Sequence, residues 1–185
     1  MKRRTAVLVT FAPSILGGVA GALGWFLQPP AFTVHVPLAP AMLLGSLVGG
    51  LILVSATILE RASPSFRYVS RRTERLLANL QLSRSSAIAL AAVTSIGEEL
   101  LFRGVLLSWL GLVPQALLFG AMHPAGRKGW VYPLFAAAWG LAFGVLVLVT
   151  GQIAAAIAAH AVVNLFGLLQ RGRRSDRPLS SRRMP

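Results

Sequence analysis

Residues 87–110 read AIALAAVTSIGEELLFRGVLLSWL. The stretch is long enough to cross a bilayer, which takes roughly 20 predominantly apolar residues. Yet it holds Glu98, Glu99 and Arg103 near its middle. On insertion scales a charge at the bilayer centre costs something like 2.5–3.5 kcal/mol. Groups kept at that cost pair with one another or line a watery cavity with a task. The spacing separates the two carboxylates. Glu99 and Arg103 are four apart, so on a helix they share a face and can form an ion pair. Glu98 is rotated about 100° away and cannot use the same partner equally well. It needs another reason to be there, unless all three form one helix-internal charge cluster.

Five further apolar segments flank this one: Ala6–Leu27, which stops at Pro29-Pro30; Leu38–Leu59, with Pro37 and Pro40 at its start; Val113–His123, entered at Pro114 and closed by Pro124; Val131–Val149; and Gln152–Leu169, after a break at Thr150-Gly151. The residues are 55% apolar and only 12% charged, against about 25% charged in soluble domains. That composition excludes a soluble globular domain, a disordered chain and a collagen-like repeat. It predicts one all-α membrane domain over residues 1–185, a polytopic helix bundle of about six transmembrane helices. Ser85-Ser86 is the expected cap of the third. The fourth segment is short for a crossing.

The basic residues test that count. Of the eighteen Lys and Arg residues, only Arg103 lies inside an apolar segment. Lys2, Arg3 and Arg4 precede the first; Arg61, Arg67, Arg71, Arg72, Arg75 and Arg84 lie between the second and third; Arg127 and Lys128 lie between the fourth and fifth; Arg171, Arg173, Arg174, Arg177, Arg182 and Arg183 follow the last. Six crossings place all of these on one side, cytoplasmic by the positive-inside rule, together with both termini. Parity therefore argues that 113–123 crosses. Within the basic loop 61–84, Ser63-Pro64 signals a helix start. Phe66, Val69, Leu76 and Leu80 then recur on one face and Arg67, Arg71 and Arg75 on another, the pattern of an amphipathic helix on the cytoplasmic surface. The net charge of +13 suits anionic lipid at the basic loops and the tail 170–185. No basic fold motif accompanies it, which argues against nucleic acid. The basic start and Ala20-Gly21-Ala22 resemble a signal peptide, but the apolar run continues through Trp25-Phe26-Leu27, which argues against cleavage of residues 1–22.

The remaining ionisable groups within the segments, His123 and His160, also lie in 87–169. Phe119 and His123 are four apart at the end of the fourth segment, and His160 and Asn164 are four apart in the sixth. Read separately, the first histidine is an interfacial residue and the His160/Asn164 pair an interhelical hydrogen-bond link. Read together, a carboxylate, two imidazoles and a carboxamide fit hydrolysis by activated water: one group takes the proton, another positions the water, and neutral donors steady the oxyanion. Two His and a Glu also make a catalytic zinc set, although no HExxH helix is present. Spacing does not decide between these. There is no cysteine, and no serine has the context of an elbow nucleophile. A non-catalytic immunity or scaffold protein would use the same fold. A proton-coupled transporter could use the same buried groups, but no internal repeat is visible.

The ordered motifs Glu98-Glu99…Arg103, Phe119…His123 and His160…Asn164 resemble the EExxxR, FxxxH and HxxxN/D pattern of the CPBP family. These are the CaaX-protease and bacteriocin-processing intramembrane proteases, also called Abi proteins. Phe102-Arg103-Gly104, Gly140, Gly144 and Thr150-Gly151 add to the likeness, which covers Thr94 to Leu168. The resemblance implies a glutamate-dependent endopeptidase of a bacterial inner membrane, acting without metal or other cofactor on a membrane-associated protein or peptide. By carry-over Glu98 is the general base and His123 shares its water. His160 and Asn164 stabilise the oxyanion, Glu99 and Arg103 form a structural pair, and Phe119 packs beneath His123. The chain is shorter than the eight-helix prenyl-protein enzymes of that family, which weighs against a prenylated substrate.

Overall fold

Each apolar run forms a helix, because in an apolar surrounding a backbone must satisfy its own hydrogen bonds. The structure, a computed structural model, describes the backbone of residues 3–27, 34–80, 82–123 and 125–175, and side chains within 15–169 of those ranges. The expected breaks at Pro29-Pro30 and Pro124, and Arg177, Arg182 and Arg183 of the tail, lie outside the described residues. The elements are α1 (Arg3–Leu27), α2 (Leu38–Ala62), α3 (Pro64–Leu80), α4 (Arg84–Glu99), a π-helical stretch (Leu100–Leu106), α5 (Leu107–Leu110), α6 (Leu112–Ala121), a 3-10 turn (Arg127–Gly129), α7 (Val131–Thr150) and α8 (Ile153–Ser175). There is no strand among the described residues. Residues 84–110 form one continuous rod, since Glu99, Leu100, Leu106 and Leu107 all keep right-handed helical angles.

The turn chemistry follows the sequence closely. Pro37 caps α2, where a missing N–H costs nothing. Ser63 accepts from the Phe66 N–H at 3.3 Å and starts α3. α4 begins one turn earlier than Ser85-Ser86 suggests. Its cap is Ser83, whose hydroxyl accepts the Ser86 N–H at 3.1 Å. A serine two or three residues upstream satisfies the orphan donors equally well, and the spacing alone does not choose between them. Gly151 closes α7 at φ 65°, and a side chain there would collide with the Val34 carbonyl.

Among the described residues two helices, Leu38–Ala62 and Val131–Thr150, are long and apolar enough to cross a membrane. α6 is different: its ten residues span about 15 Å, half of the roughly 30 Å hydrocarbon thickness. It packs instead along α7.

Centrally, α8 lies between α2 and α4 and also touches α3 and α7, while α1 runs along α4 and the π-helical stretch. Close approach of α2 and α8 depends on Gly45 and Gly49. A Cβ at Gly45 would strike the Ala155 carbonyl, and one at Gly49 would come within 2.6 Å of the Ala159 carbonyl. Ala155, Ala156 and Ala159 complete this small-residue seam and join a core with Phe143, Leu146 and Val147. The outer face of α2 exposes Leu43, Leu47, Leu51, Val54 and Ile58. The buried polar residues include Ser95, Glu99, Arg103, Gln115 and His160. Large exposed apolar surface around an interior that also holds buried charge departs from the usual soluble arrangement.

α3 buries Phe66, Val69 and Leu80, whereas Leu76, expected on the same face, is exposed. Phe66 stacks edge-on against Phe135 at 5.0 Å. This anchors the front of α3 to α7.

Candidate active site

The chemistry collects where the α4 rod changes from α to π geometry. Glu98 and Glu99 end the α-helical part, and Arg103 lies within the π-helical stretch. Such widened turns occur often at functional sites. Glu99 and Arg103 are fully buried and joined at 3.0 Å between Oε1 and Nη1. Burying two charges costs several kcal/mol per ion unless further partners satisfy them. Arg103 has them: Nη2 donates to the Gly140 carbonyl at 3.0 Å. Its guanidinium carbon lies 4.5 Å from the Phe119 ring centre and 5.1 Å from that of Phe143, within cation–π range.

Glu99 has a second role that the sequence reading did not assign. Its Oε1 accepts a hydrogen bond from His160 Nδ1 at 2.8 Å. With Nδ1 held there, Nε2 points away from Glu99 and stands 3.8 Å from Glu98 Oε2. His123 is oriented in the same manner by a different acceptor. Its Nδ1 donates to the Phe119 carbonyl at 2.7 Å, in the last turn of α6, two residues beyond whose end His123 lies, and its Nε2 lies 3.9 Å from the same Glu98 oxygen. Phe119 packs against the His123 ring at 4.6 Å between centres and meets His160 edge-on at 6.0 Å. A separation of 3.8–3.9 Å is longer than a direct hydrogen bond and matches a geometry bridged by a small molecule such as water.

Asn164 is placed by α4 from the opposite side. Its Nδ2 donates to Thr94 Oγ1 at 3.1 Å and to Ser95 Oγ at 3.2 Å. Both amide hydrogens are engaged, so Asn164 ties α8 to α4 in this conformation. Thr94 passes its own hydrogen to the Leu90 carbonyl at 2.8 Å, which fixes it as the acceptor.

Gln115 was not singled out from sequence, yet it is fully buried. Its Nε2 donates to the Leu112 and Gly140 carbonyls at 3.0 and 3.2 Å. Gly140 therefore receives both Arg103 and Gln115 on one oxygen, which links the π-helical stretch, α6 and α7. A side chain at Gly140 would meet the Phe119 ring at 3.0 Å. The available signal was a lone amide in the apolar run 113–123.

Exposure grades the set. The side chain of Glu99 is wholly buried, that of His160 is 8% exposed, Glu98 17% and His123 25%. Glu98, His123 and Asn164 line a cavity of about 690 Å³, along with Thr94 and Tyr132, while His160 stands behind it. The cavity is roofed by α3 and walled by α2, α4, α7 and α8. Glu98, His123 and His160 are the residues that could hold a metal. Among the described residues, no group of three His, Cys, Asp or Glu side chains has the arrangement of a metal site.

Residues 81–166 match the protein family described as Type II CAAX prenyl endopeptidase Rce1-like. No curated protein and no solved structure is significantly similar to the chain. The matched stretch begins just before α4 and includes all of the groups described above.

Proposed function

We propose that this integral membrane protein, whose residues 81–166 match the Rce1-like, CPBP family of intramembrane proteases, cuts a membrane-associated protein or peptide using water activated by Glu98. One observation carries the reading: two imidazole Nε2 atoms face a single carboxylate oxygen at 3.9 and 3.8 Å, at the wall of a cavity inside an apolar helix bundle.

In this mechanism Glu98 takes a proton from water while His123 positions it. The water oxygen bonds to the scissile carbonyl carbon, and the carbonyl electron pair moves onto oxygen. His160, held at Nδ1 by Glu99, donates from a protonated Nε2 to that oxyanion. Asn164 adds a second donor by exchanging one of its hydroxyl partners. Collapse breaks the C–N bond, and the proton held by Glu98 passes to the leaving amine. Arg103, Gln115 and Phe119 fix the donors rather than touch substrate.

The finer topology belongs to the same proposal: six crossings, with the termini, the α3 loop and the tail on the cytoplasmic side of a bacterial inner membrane. The exposed arginines of α3 would then meet anionic lipid. The short α6 crosses only if shielded by α7 and the π-helical stretch. Reporter fusions after residues 62, 111, 128 and 175 test this arrangement. An outward report after 128 overturns it.

The test of the chemistry is cleavage of candidate membrane peptides by purified protein, with the product mapped by mass spectrometry. Glu98→Ala and His160→Ala are expected to abolish cleavage, and parental rates in either sink the mechanism. A zinc-dependent version has one feature in its favour: Nδ1 of each histidine is tied to an acceptor and Nε2 faces inward, as in metal-bound imidazoles. Glu98, His123 and His160 would hold the ion, which would polarise the carbonyl or acidify water. Cleavage that is lost in chelator and restored by zinc selects that version; the glutamate mechanism expects activity to persist in chelator.

A further inference from the structure

Two fully buried side chains meet at one backbone oxygen, and each keeps a polar atom over. Arg103 Nη2 and Gln115 Nε2 donate to the Gly140 carbonyl at 3.0 and 3.2 Å. Among the described residues neither Arg103 Nε nor Gln115 Oε1 has a hydrogen-bond partner. Both residues are wholly shielded from solvent, so neither atom recovers what it loses on leaving water. Nearly all buried polar groups find a partner, in the protein or in ordered water.

The orientation of each group is fixed by the bonds it does make. Gln115 Nε2 lies against two carbonyls, those of Leu112 and Gly140. Only the NH2 end of an amide can face two acceptors, so Oε1 is turned away from both. α7 leaves room for this amide, since a Cβ at Gly144 would come within 2.8 Å of Nε2. Arg103 is held at Nη1 by Glu99 Oε1, at 3.0 Å, and at Nη2 by Gly140. In a planar guanidinium the Nε–H leaves on the Nη2 side, the side of the Gly140 bond.

One orphan is a donor and the other an acceptor. A metal ion would suit the amide oxygen and be repelled by the guanidinium; an anion would suit Nε–H and not the oxygen. Water matches both, accepting one bond and donating another, and buried waters commonly make about three. We propose that one internal water bridges Arg103 Nε and Gln115 Oε1 where the π-helical stretch, α6 and α7 meet, and that Gln115, through it and through Gly140, is a positioning residue for Arg103. Arg103 in turn holds Glu99 Oε1, which holds His160 Nδ1 at 2.8 Å. Neither Arg103 nor Gln115 lines the cavity of Glu98, so this water is separate from the one that Glu98 activates. The water site needs nothing from the proteolytic reading above; its effect on turnover rests on that reading.

The test is a crystal structure of the full chain, grown in lipidic mesophase, at a resolution that shows ordered water. The expected result is a water peak within about 2.7–3.2 Å of both Arg103 Nε and Gln115 Oε1. A map without that peak, or with Nε or Oε1 bonded to protein instead, overturns the proposal. Gln115→Met keeps the length of the side chain and removes both of its polar atoms. It is expected to lose the peak, with kcat down about ten- to a hundredfold and KM within about twofold of the parent. Gly144→Ala, which presses on the same amide from α7, is the second variant and is expected to show the same split. A parental kcat in either folded variant, or a loss confined to KM, overturns the positioning role. If the parent cuts no peptide, the proteolytic reading is at fault, and the map still decides for or against the water.

Discussion

Glu99 Oε1 holds both Arg103 Nη1, at 3.0 Å, and His160 Nδ1, at 2.8 Å. One buried carboxylate oxygen thus neutralises an arginine on its own rod and fixes the ring of a histidine on another helix. Glu99→Gln removes the charge but keeps the shape. It is expected to lower kcat at least about tenfold by loosening His160, with KM changed less. Glu99→Ala should also leave Arg103 buried without its counter-charge, a loss of about 3–5 kcal/mol. Melting followed by tryptophan fluorescence, together with cleavage kinetics, separates the two effects. Full activity in Glu99→Gln would show that the contact serves only packing.

The two histidines differ in how deeply they are set. His123→Ala removes a quarter-exposed side chain at the end of α6. Cleavage should fall roughly 10²–10⁴-fold, the range of a lost acid–base group, while the melting temperature stays within about 2 °C of the parent. His160→Ala opens a buried contact between Glu99, Phe119 and Phe143 and should lower both activity and melting temperature. The opposite ranking in stability would contradict the packing described for α6 and α8.

Asn164 can be tested against its own partners. Losing an oxyanion donor costs about 10²–10³-fold in kcat. Asn164→Ala is expected to show that loss, whereas Thr94→Val with Ser95→Ala, which cuts the same interhelical bonds from the other side, is expected to keep most of kcat. If both variants lose kcat and stability equally, Asn164 is a helix tie and not an oxyanion donor.

The α2–α8 seam makes a prediction about stability alone. Gly45→Ala drives a Cβ into the Ala155 backbone, and no flexible side chain is there to yield. Overpacking of this kind typically costs about 1–3 kcal/mol. Gly50→Ala, on the same helix with nothing within 4 Å of its Cβ, should melt at or above the parental temperature, since alanine favours helix over glycine. Equal melting of the two variants would mean that the helices do not pack along this line.

Apolar runs and their proline and serine boundaries placed the ends of the long helices to within about three residues, except that α8 runs on to Ser175, six residues past the Leu169 read from sequence. α2 begins at Leu38 and α7 at Val131, as read from sequence. The ordered motifs around Glu98, His123 and His160 were also legible, because ionisable groups in apolar segments are costly and therefore conspicuous. Thr94 and Ser95 were not. A helical hydroxyl can satisfy itself on a preceding carbonyl, as Thr94 does with Leu90, so its presence in an apolar run signals nothing. Gln115 was visible as an amide but had no periodic partner in its own helix; its acceptor is Gly140, on α7.

The linear order of residues determined an all-helical, membrane-type chain, the pairing of Glu99 with Arg103 one turn apart, and the turning of Glu98 onto a different face from that pair. Those follow from hydropathy and from the 3.6-residue turn, both local properties. Only the packing of α8 against α4 decided that Glu99 would also orient His160. Only the seating of α6 on α7 brought His123 to the same carboxylate oxygen, and only the fold of α3 over the bundle roofed the cavity that Glu98 lines. Such encounters depend on where glycine and alanine let helices approach, and that distance is set by contacts between residues far apart in the chain.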